Sequence, residues 1–443
     1  MTIYTINQFE SKAKANTISY DLKAIAVKDS AFSALVDTVY IECGLERLIT
    51  TKKGGKAYES AVERYKKCLN SVLWNLYTAN GSYLRISMDF HTYSKGGHNP
   101  HSITKDITKI VKQLEDTGFI YHQKFTYDPK TKRGKRSRIL AQGPLLEAFT
   151  ALPEDLSEAP VPVPAIQFRT PDDKGNYKPV DYPLNDWLQG QADIIRKYNS
   201  FIRTQDITIA GEHTFSWVDA VGTVNTVSTA RTGATAIFHV SEDQISYGRV
   251  HGGFHQRIPS KFRPEILING EPTVELDYSA QVISIIAGME GIELSDEDPY
   301  DIPLQGICKF YCRDLLKNLI VVMVNSKSKD QAFSASLSWC NSEGVFRGVN
   351  GCHNQAFFDY AVDQIFTKHR FLKSHAFQAE SVFMEDSDIA RKIIGTCTNS
   401  DIAILPIHDG FICKEEDEKF LHSTMQTAWS EKFPNTKIGI KKE

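Results

Sequence analysis

Two aspartates in the second half of this 443-residue chain stand where carboxylates could bind a metal ion. Apolar residues alternate with Glu275 and Asp277 in the segment TVELD, and this period of two predicts a strand with one buried face and one carboxylate-bearing face. His408 and Asp409 separate the apolar runs IAILPI and GFIC, which predicts a hairpin with the aspartate at its turn. We therefore expect both carboxylates at the ends of strands.

The ends of neighbouring strands can bring Asp277 and Asp409 together as ligands of divalent cations. Carboxylate oxygens suit Mg²⁺, with Mn²⁺ as an alternative, and the remaining ligands would be water and substrate phosphates. Two such ions, roughly 3.5–4 Å apart, activate a hydroxyl and stabilise a leaving pyrophosphate. Each motif taken singly also fits an ordinary cap or turn residue, so this chemistry depends on the two aspartates meeting.

A helix with two cations is predicted between the aspartates. In RDLLKNLIVVMVN, residues 313–325, Arg313 and Lys317 are four residues apart and share one side of an otherwise apolar helix. Triphosphate oxygens are a natural counterpart for such a pair, because clamped cations stabilise the charge that develops in phosphoryl transfer. The alternative is a buried helix whose two long cations reach past its edge to water.

A basic segment with several glycines precedes the first aspartate, at residues 247–272. Its glycines permit a close approach of the backbone to a ligand, and its polar side chains could grip a nucleic-acid backbone. The side chains in question are Arg249, His255, Arg257, Lys261 and Arg263. The alternative is a glycine hairpin that only leads into a core strand.

The first part of the chain has the outline of a winged helix. Apolar spacing predicts a helix over residues 58–79, a strand within 81–90, and a second helix that begins after Ser102 and ends at Gly118. Two further strands follow, joined by the basic loop DPKTKRGKR. The helix could enter a major groove while the loop neutralises phosphates, and the cations in question include Lys132, Arg133, Lys135 and Arg136. The alternative is a solvated loop.

Composition predicts the domain boundaries and the cellular compartment. Five prolines fall within residues 151–175, which predicts an extended linker between a nucleic-acid-binding domain at 1–150 and a catalytic domain at 176–443. The net charge of -3 excludes a generally basic nucleic-acid-coating protein but not a local basic patch. No apolar run reaches membrane length, and no signal peptide is recognisable. The eight scattered cysteines, without CxxC, indicate a reducing, cytoplasmic setting.

The order of these motifs resembles the polymerase domain of family A DNA polymerases, the DNA polymerase I type. The matching pieces are Gly248-Arg249, Gln256-x-Ile258-Pro259, Arg263, Asp277-Tyr278-Ser279, Arg313-xxx-Lys317 and His408-Asp409. The single-subunit phage and mitochondrial RNA polymerases share the architecture, and the match covers roughly residues 245–443. The resemblance implies an α+β fold: a right-hand palm built on an antiparallel sheet, helical fingers, and the winged-helix-like domain in front.

The resemblance also implies the role of each matching residue. Asp277 and Asp409 would hold two catalytic Mg²⁺ ions, with the Tyr278 carbonyl as a further ligand. Arg313 and Lys317 would contact the incoming triphosphate, and Lys317 would assist proton transfer to pyrophosphate. The residues implied to touch primer, template or growing strand are Arg249, Gln256, Arg263 and His408.

Three positions depart from the family pattern. The usual Glu five residues after the first aspartate is Val282, the usual Tyr eight residues after the helix lysine is Asn325, and the residue after Asp409 is Gly410. Val282 and Asn325 would lie near the nucleotide, so the choice between dNTP and NTP stays open. Only about 70 residues, 176–245, remain for a thumb, which predicts low processivity.

The sequence thus predicts template-directed nucleotidyl transfer in the replication of a phage or mobile element, in the cytoplasm of a bacterial host. The expected partners are a DNA template and primer, nucleoside triphosphates and replication proteins, with no membrane. One rival is a DNA-binding replication initiator or regulator whose polymerase-like half is inert. A second rival is a two-metal nuclease or phosphatase, which would leave the cationic helix without a purpose.

Overall fold

The structure is a computed structural model that describes most of the chain. The described residues are 17–19, 25–26, 30–79, 81–93, 99, 101–124, 127–128, 133–134, 137–153, 156, 163–171, 177–218, 224–241, 244–295, 297–305, 309–343, 354–378 and 382–443.

The chain divides into two compact units. The first unit comprises Met1–Pro164, Ile207–Gly233 and Arg257–Pro259, and the second comprises Ala165–Asp206, Ala234–Gln256 and Ser260–Glu443. The second unit begins inside the predicted linker, and one stretch of the predicted thumb belongs to the first unit.

Within its described residues, the first unit packs four helices and a four-stranded sheet around one core. Its helices are α1 (Ser30–Glu42), α2 (Lys56–Thr78), α3 (Ile107–Asp116) and α4 (Pro144–Thr150). Its early strands are β1 (Thr17–Ser19), β2 (Tyr83–Ile86), β3 (Ile120–Gln123), β4 (Tyr127–Asp128), β5 (Arg133–Gly134) and β6 (Ser137–Ala141). Strands β1, β2, β6 and β3 pair in that order.

Helix α3 begins later than the apolar spacing predicted. The side chain of Asn99 accepts a hydrogen bond from the Ile103 amide at 2.8 Å and donates one to the Ile103 carbonyl at 2.7 Å. This turn occupies the backbone after Ser102, so the helix starts at Ile107. Its apolar stripe then enters the core as the sequence predicted, through Ile107, Ile110, Val111 and Leu114.

The predicted wing is partly within the described residues. Strands β3 and β6 pair antiparallel, and β4 and β5 extend the hairpin with Asp128 opposite Arg133. Lys132, Lys135 and Arg136 lie outside the described residues. The order helix, Gly118, strand, hairpin, strand therefore stands in the fold.

The remaining strands of the first unit are β9 (Ile207–Ile209), β10 (Thr214–Val218) and β11 (Val224–Ser228), of which the last two form an antiparallel pair.

The second unit contains a sheet of four strands in the order β13, β12, β7, β8. They are β7 (Ile166–Pro171), β8 (Tyr177–Val180), β12 (Ala234–Ser241) and β13 (Gln244–Gly252). Phe238 of β12 stacks on Phe168 of β7 with 5.9 Å between ring centroids and meets Trp187 at 5.8 Å. Trp187 lies on α5 (Asp186–Ile202), so this helix covers the apolar face of the sheet. Residues 166–171, placed in the linker by their prolines, are a strand.

A second sheet carries the two aspartates. Its strands in this unit are β14 (Ile266–Ile268), β15 (Glu271–Tyr278), β16 (Ile404–Ile407), β17 (Gly410–Lys414) and β18 (Ile440–Lys442). Their pairing is antiparallel throughout, in the order β16, β17, β15, with β14 and β18 both on the far side of β15. Helices α6 (Gln281–Met289), α10 (Val382–Asn399) and α11 (Glu418–Lys432) complete this layer.

The other helices described in the second unit are α7 (Lys309–Asn325), α8 (Lys329–Glu343) and α9 (Gln355–Lys368). The protein is thus α+β with mainly antiparallel sheets, as the sequence predicted at this level. None of the helices in the described part of the chain has the length and apolar character needed to cross a lipid bilayer.

Candidate active site

Asp409 stands at a two-residue turn between β16 and β17. Ile407 pairs with Gly410 across the hairpin, so His408 and Asp409 are the turn residues. His408 has φ of 54°, a left-handed conformation that two-residue hairpin turns require and that most side chains disfavour. The predicted hairpin with an aspartate at its turn is confirmed.

Asp277 lies beside this turn on the neighbouring strand. Antiparallel pairing of β15 with β17 sets Asp277 opposite Gly410, the residue that follows Asp409. Val274, Leu276 and Tyr278 face the core, while Glu275 and Asp277 lie on the more open face, as the alternation predicted. The structure therefore brings the two aspartates together at one end of the sheet.

The pKa values of the two carboxylates are shifted by their burial and by the acids around them. Burial, followed by the charge of Asp409, raises the pKa of Asp277 to about 6. Burial, followed by the charge of Asp386, also raises the pKa of Asp409. Like charges held close in a partly desolvated site disfavour double ionisation. A bound cation would reduce the repulsion between these carboxylates and so stabilise the site.

One cation already reaches Asp277. Lys441 of β18 places its Nζ 3.5 Å from Oδ2 of Asp277 and also pairs with Glu443. The position follows from the strand register, because Lys441 lies opposite Asp277 in the β15–β18 pair. The sequence did not predict that Lys441 would lie beside Asp277.

Asp386 of α10 is a third carboxylate near the turn. It is almost fully buried and accepts hydrogen bonds from Nε of Arg249 at 2.7 Å and from Nε2 of Gln281 at 2.9 Å. Arg249 also lies 4.1 Å from the centroid of the Phe383 ring. Asp386 thus ties β13, α6 and α10 together behind Asp409, and Arg249 is held by this partner.

A column of stacked rings crosses the β13–β12–β7–β8 sheet of the second unit and ends at His408. Tyr177 stacks on His239 at 4.0 Å between centroids, His239 on Tyr247 at 4.3 Å, and Tyr247 on His251 at 5.7 Å. The His251 ring then meets the His408 ring edge-on at 5.8 Å. Burial lowers the pKa of His251 to about 4, so this ring is neutral near neutral pH. The column supports the turn from the side of β13.

The cationic helix is present, with both predicted cations at its surface. Nε of Arg313 lies 2.6 Å from Oδ2 of Asp298, and its guanidinium lies 5.4 Å from the centroid of the Tyr300 ring. Lys317 is exposed and has no ion-pair partner in the described part of the chain.

The pKa of the Tyr300 hydroxyl is affected both by a cation of this helix and by Asp409. Burial raises the pKa of Tyr300, Arg313 opposes the rise, and the charges of Asp298 and Asp409 add to it. The charges of Arg313 and Asp409 thus act on the same hydroxyl in opposite directions.

Two other residues predicted to touch nucleic acid have partners within the protein. Gln256 donates to the Pro406 carbonyl at 2.8 Å and accepts from the Gly252 amide at 3.0 Å, so it links β13 to the strand before the turn. Arg263 pairs with Glu275 at 2.8 Å, and its buried Nε has no partner among the described residues.

His408 remains exposed at its turn, where solvent can reach it. The protein around its ring and the Arg249 guanidinium lower its pKa. It lies beside Asp409 at this turn, and its predicted contact with a bound strand stays a prediction.

Three residues predicted near the metal or nucleotide are placed as follows. Tyr278 buries its side chain and donates its hydroxyl to the Met425 carbonyl at 2.6 Å, which leaves only its main chain for the predicted ligand role. Val282 is half-buried on α6, in the turn after Asp277. Asn325 ends α7, where its side chain bonds the Val321 carbonyl at 2.8 Å.

The residues present fit a divalent cation. Asp277 and Asp409 offer hard oxygen donors, the kind of ligand that Mg²⁺ prefers, and the pKa of each is raised by burial and a neighbouring carboxylate. Among the described residues, no group of three or more His, Cys, Asp or Glu side chains is arranged to hold a metal ion. Any ion at the pair would therefore take its other ligands from water, main-chain or substrate oxygens.

Comparison with known proteins adds no assignment: no protein-family model matches the chain, and no curated protein sequence matches it.

Proposed function

We propose that the second unit catalyses template-directed nucleotidyl transfer, with Asp277 and Asp409 as ligands of Mg²⁺. The observation that carries this proposal is the meeting of the two carboxylates at the β16–β17 turn, where Asp277 lies opposite Gly410 and the charge of Asp409 adds to burial in raising the pKa of Asp277. In the sequence these residues belong to motifs far apart. Their convergence is what the resemblance to family A polymerases requires of its metal ligands.

The chain's own residues would divide the work as follows. Arg313 and Lys317, both exposed on α7, would bind the triphosphate and offset its charge. Bound Mg²⁺ would lower the pKa of the attacking hydroxyl and stabilise the leaving pyrophosphate. The exposed Lys317 is suited to give a proton to that leaving group.

The nucleic acid would lie along the open side of the Asp409 turn. His408 is exposed there, and Arg263 keeps an unpaired buried Nε nearby on the Glu275 side. Gln256 and Arg249 would act mainly by fixing the backbone around the turn, because their polar atoms bond Pro406 and Asp386.

We further propose that the first unit binds duplex or template DNA through its α3 and β3–β6 hairpin, as a winged helix does. The second unit would then correspond to palm and fingers, with β15 and the β16–β17 hairpin as the palm and α7 as a fingers helix. Replication of a phage or mobile element in a bacterial cytoplasm, with replication proteins as partners, is the setting that the resemblance suggests.

The decisive experiment follows incorporation of labelled dNTPs and NTPs on primed and unprimed templates with Mg²⁺ or Mn²⁺. Asp277→Asn and Asp409→Asn should each abolish incorporation, because each removes a ligand charge without changing side-chain size. Asp401→Asn is the matched control: Asp401 is exposed just before β16 in a left-handed conformation that asparagine tolerates. This variant should polymerise normally.

The rival functions give different results in the same assay. An initiator with an inert second unit would bind DNA and incorporate nothing. A nuclease would shorten the labelled strand in a manner that depends on Asp277 and Asp409. Undiminished synthesis by Asp277→Asn or Asp409→Asn would show that the carboxylates hold no essential metal.

A further inference from the structure

The cation of β18 lies at the position where a metal is proposed. Lys441 holds its Nζ 3.5 Å from Oδ2 of Asp277, and the antiparallel register of β15 with β18 sets the two residues directly opposite each other. The approach is thus fixed by the backbone rather than by chance side-chain reach. Ser279 strengthens the register, because its amide donates to the Gly439 carbonyl at 2.8 Å.

Lys441 is positioned to exchange partners. Its side chain is 51% exposed, so the amine is already partly in solvent and can turn away from Asp277 without crossing a buried region. It also pairs with Glu443, two residues along the same strand, which offers an alternative partner when Asp277 is taken. Asp277 is more enclosed, at 24% exposed, and stays in place.

We propose that Lys441 is the built-in counter-ion of the metal site: it neutralises Asp277 when no metal is bound and must leave that carboxylate before a divalent cation can bind. This inference rests on the proposed metal-binding role of Asp277 and Asp409. A tethered cation competes at a high effective concentration, whatever the amount of free metal. Lys441 therefore weakens metal binding in the free enzyme and limits it to complexes in which substrate phosphates add ligands.

Removing the charge should raise metal affinity. In the full-length protein without nucleotide, the dissociation constant for Mn²⁺ is measured by the electron paramagnetic resonance signal of the free ion. Lys441→Met should bind Mn²⁺ about threefold to tenfold more tightly, since the charge removed is unitary and partly screened by solvent. Lys441→Gln should behave in the same way, and Lys441→Arg should stay within about twofold of wild type because it keeps the charge.

Lys442→Met is the matched control. Lys442 is the next residue of the same strand, has a similar exposure of 56%, and pairs with Glu418 rather than with Asp277. Its replacement changes net charge equally and should leave Mn²⁺ affinity unchanged. Circular dichroism of each variant verifies that the protein remains folded.

The outcomes separate the two proposals. Unchanged or weaker Mn²⁺ binding by folded Lys441→Met and Lys441→Gln overturns the counter-ion role, even where wild type binds Mn²⁺ through Asp277. An equal gain in Lys442→Met also overturns it, because the effect would then be one of net charge. Failure of wild type, Lys441→Met and Lys441→Gln alike to bind Mn²⁺ overturns the metal site itself and the counter-ion role with it.

Discussion

A β-carbon added to Gly410 would stand 3.2 Å from Oδ1 of Asp277. Asp277 therefore fills the space that a side chain at position 410 would need. The same approach sets the Asp277 carboxylate next to Asp409, the residue before Gly410. The crowding of two acids is thus built into the strand register.

The burial of Asp277, together with the charge of Asp409, predicts a stability that falls with rising pH in the absence of metal. The pKa of Asp277 is about 6 in the folded protein against an ordinary 3.8, so the folded state binds more protons than the unfolded state between these values. The free energy of unfolding should therefore decrease from about pH 4 to about pH 6 and then level off. Asp277 and Asp409 titrate as a pair, so the step reports both.

Asp277→Asn should remove much of this loss. Each unit of pKa corresponds to about 1.4 kcal/mol, so the variant should be about 1–3 kcal/mol more stable than wild type at pH 7 in EDTA. Urea unfolding at several pH values measures the effect, with Asp401→Asn as the exposed control. A variant less stable than wild type at pH 7 would mean that Lys441 outweighs the repulsion.

The Arg249–Asp386 pair should contribute strongly to the stability of the second unit. The side chains of Arg249 and Asp386 are 18% and 3% exposed, and their charged groups are only 2.7 Å apart. Replacing one residue therefore leaves the charge of the other buried without its ionic partner. Arg249→Met should lower the free energy of unfolding by about 3–5 kcal/mol. The double variant Arg249→Met with Asp386→Leu should recover part of that loss.

The exposed pair Arg313–Asp298 is the control for the buried one. Its side chains are 54% and 37% exposed, so Arg313→Met should cost less than about 1 kcal/mol. Equal losses in Arg249→Met and Arg313→Met would show that burial of Asp386 does not govern the stability of this region.

The local elements of the site could be predicted from the sequence because their signals are local. Alternation marks β15 as a strand with Asp277 on its open face, and the two apolar runs mark the hairpin around Asp409. Apolar spacing predicts helix α7 with Arg313 and Lys317 on it, and in the structure this helix runs over Lys309–Asn325. The meeting of the two aspartates depends on the register of β15 with β17, which only the structure shows.

Partners from distant segments could not be predicted. Lys441 reaches Asp277 only because β18 pairs with β15, and Asp386 approaches Asp409 only because α10 packs behind the turn. No spacing along the chain encodes either approach. Strand β7 was hidden for another reason: prolines surround it, yet Phe168 pairs with Phe238 in the core.

Lys317 should matter for nucleotide binding and not for stability. It is exposed on α7 and has no ion-pair partner among the described residues, so Lys317→Ala should leave unfolding unchanged. Without one charge-assisted hydrogen bond to a triphosphate, kcat/KM for the nucleotide should fall by about tenfold or more, with template affinity intact. Lys419→Ala, an exposed lysine on α11, is the control. Similar decreases in both variants would remove α7 from the nucleotide site.

The basic hairpin of the first unit should govern the salt dependence of DNA binding. Its cations flank β5, where Arg133 lies opposite Asp128 in the strand pair. The variant replaces Lys132, Arg133, Lys135 and Arg136 with glutamine. Each phosphate that the protein no longer neutralises should reduce the slope of log affinity against log salt by about 0.9. Fluorescence anisotropy of a labelled duplex between low and moderate salt measures the slope.

A second variant separates direct phosphate binding from net charge. It removes four cations of the second unit, Lys373, Lys392, Lys419 and Lys437, and so changes the total charge equally. Counter-ion release requires phosphates to be neutralised at close range, so this variant should keep the wild-type slope while the hairpin variant flattens it. If both variants change the slope alike, the hairpin contributes only to the overall field of the protein, and the first unit must bind DNA through another surface.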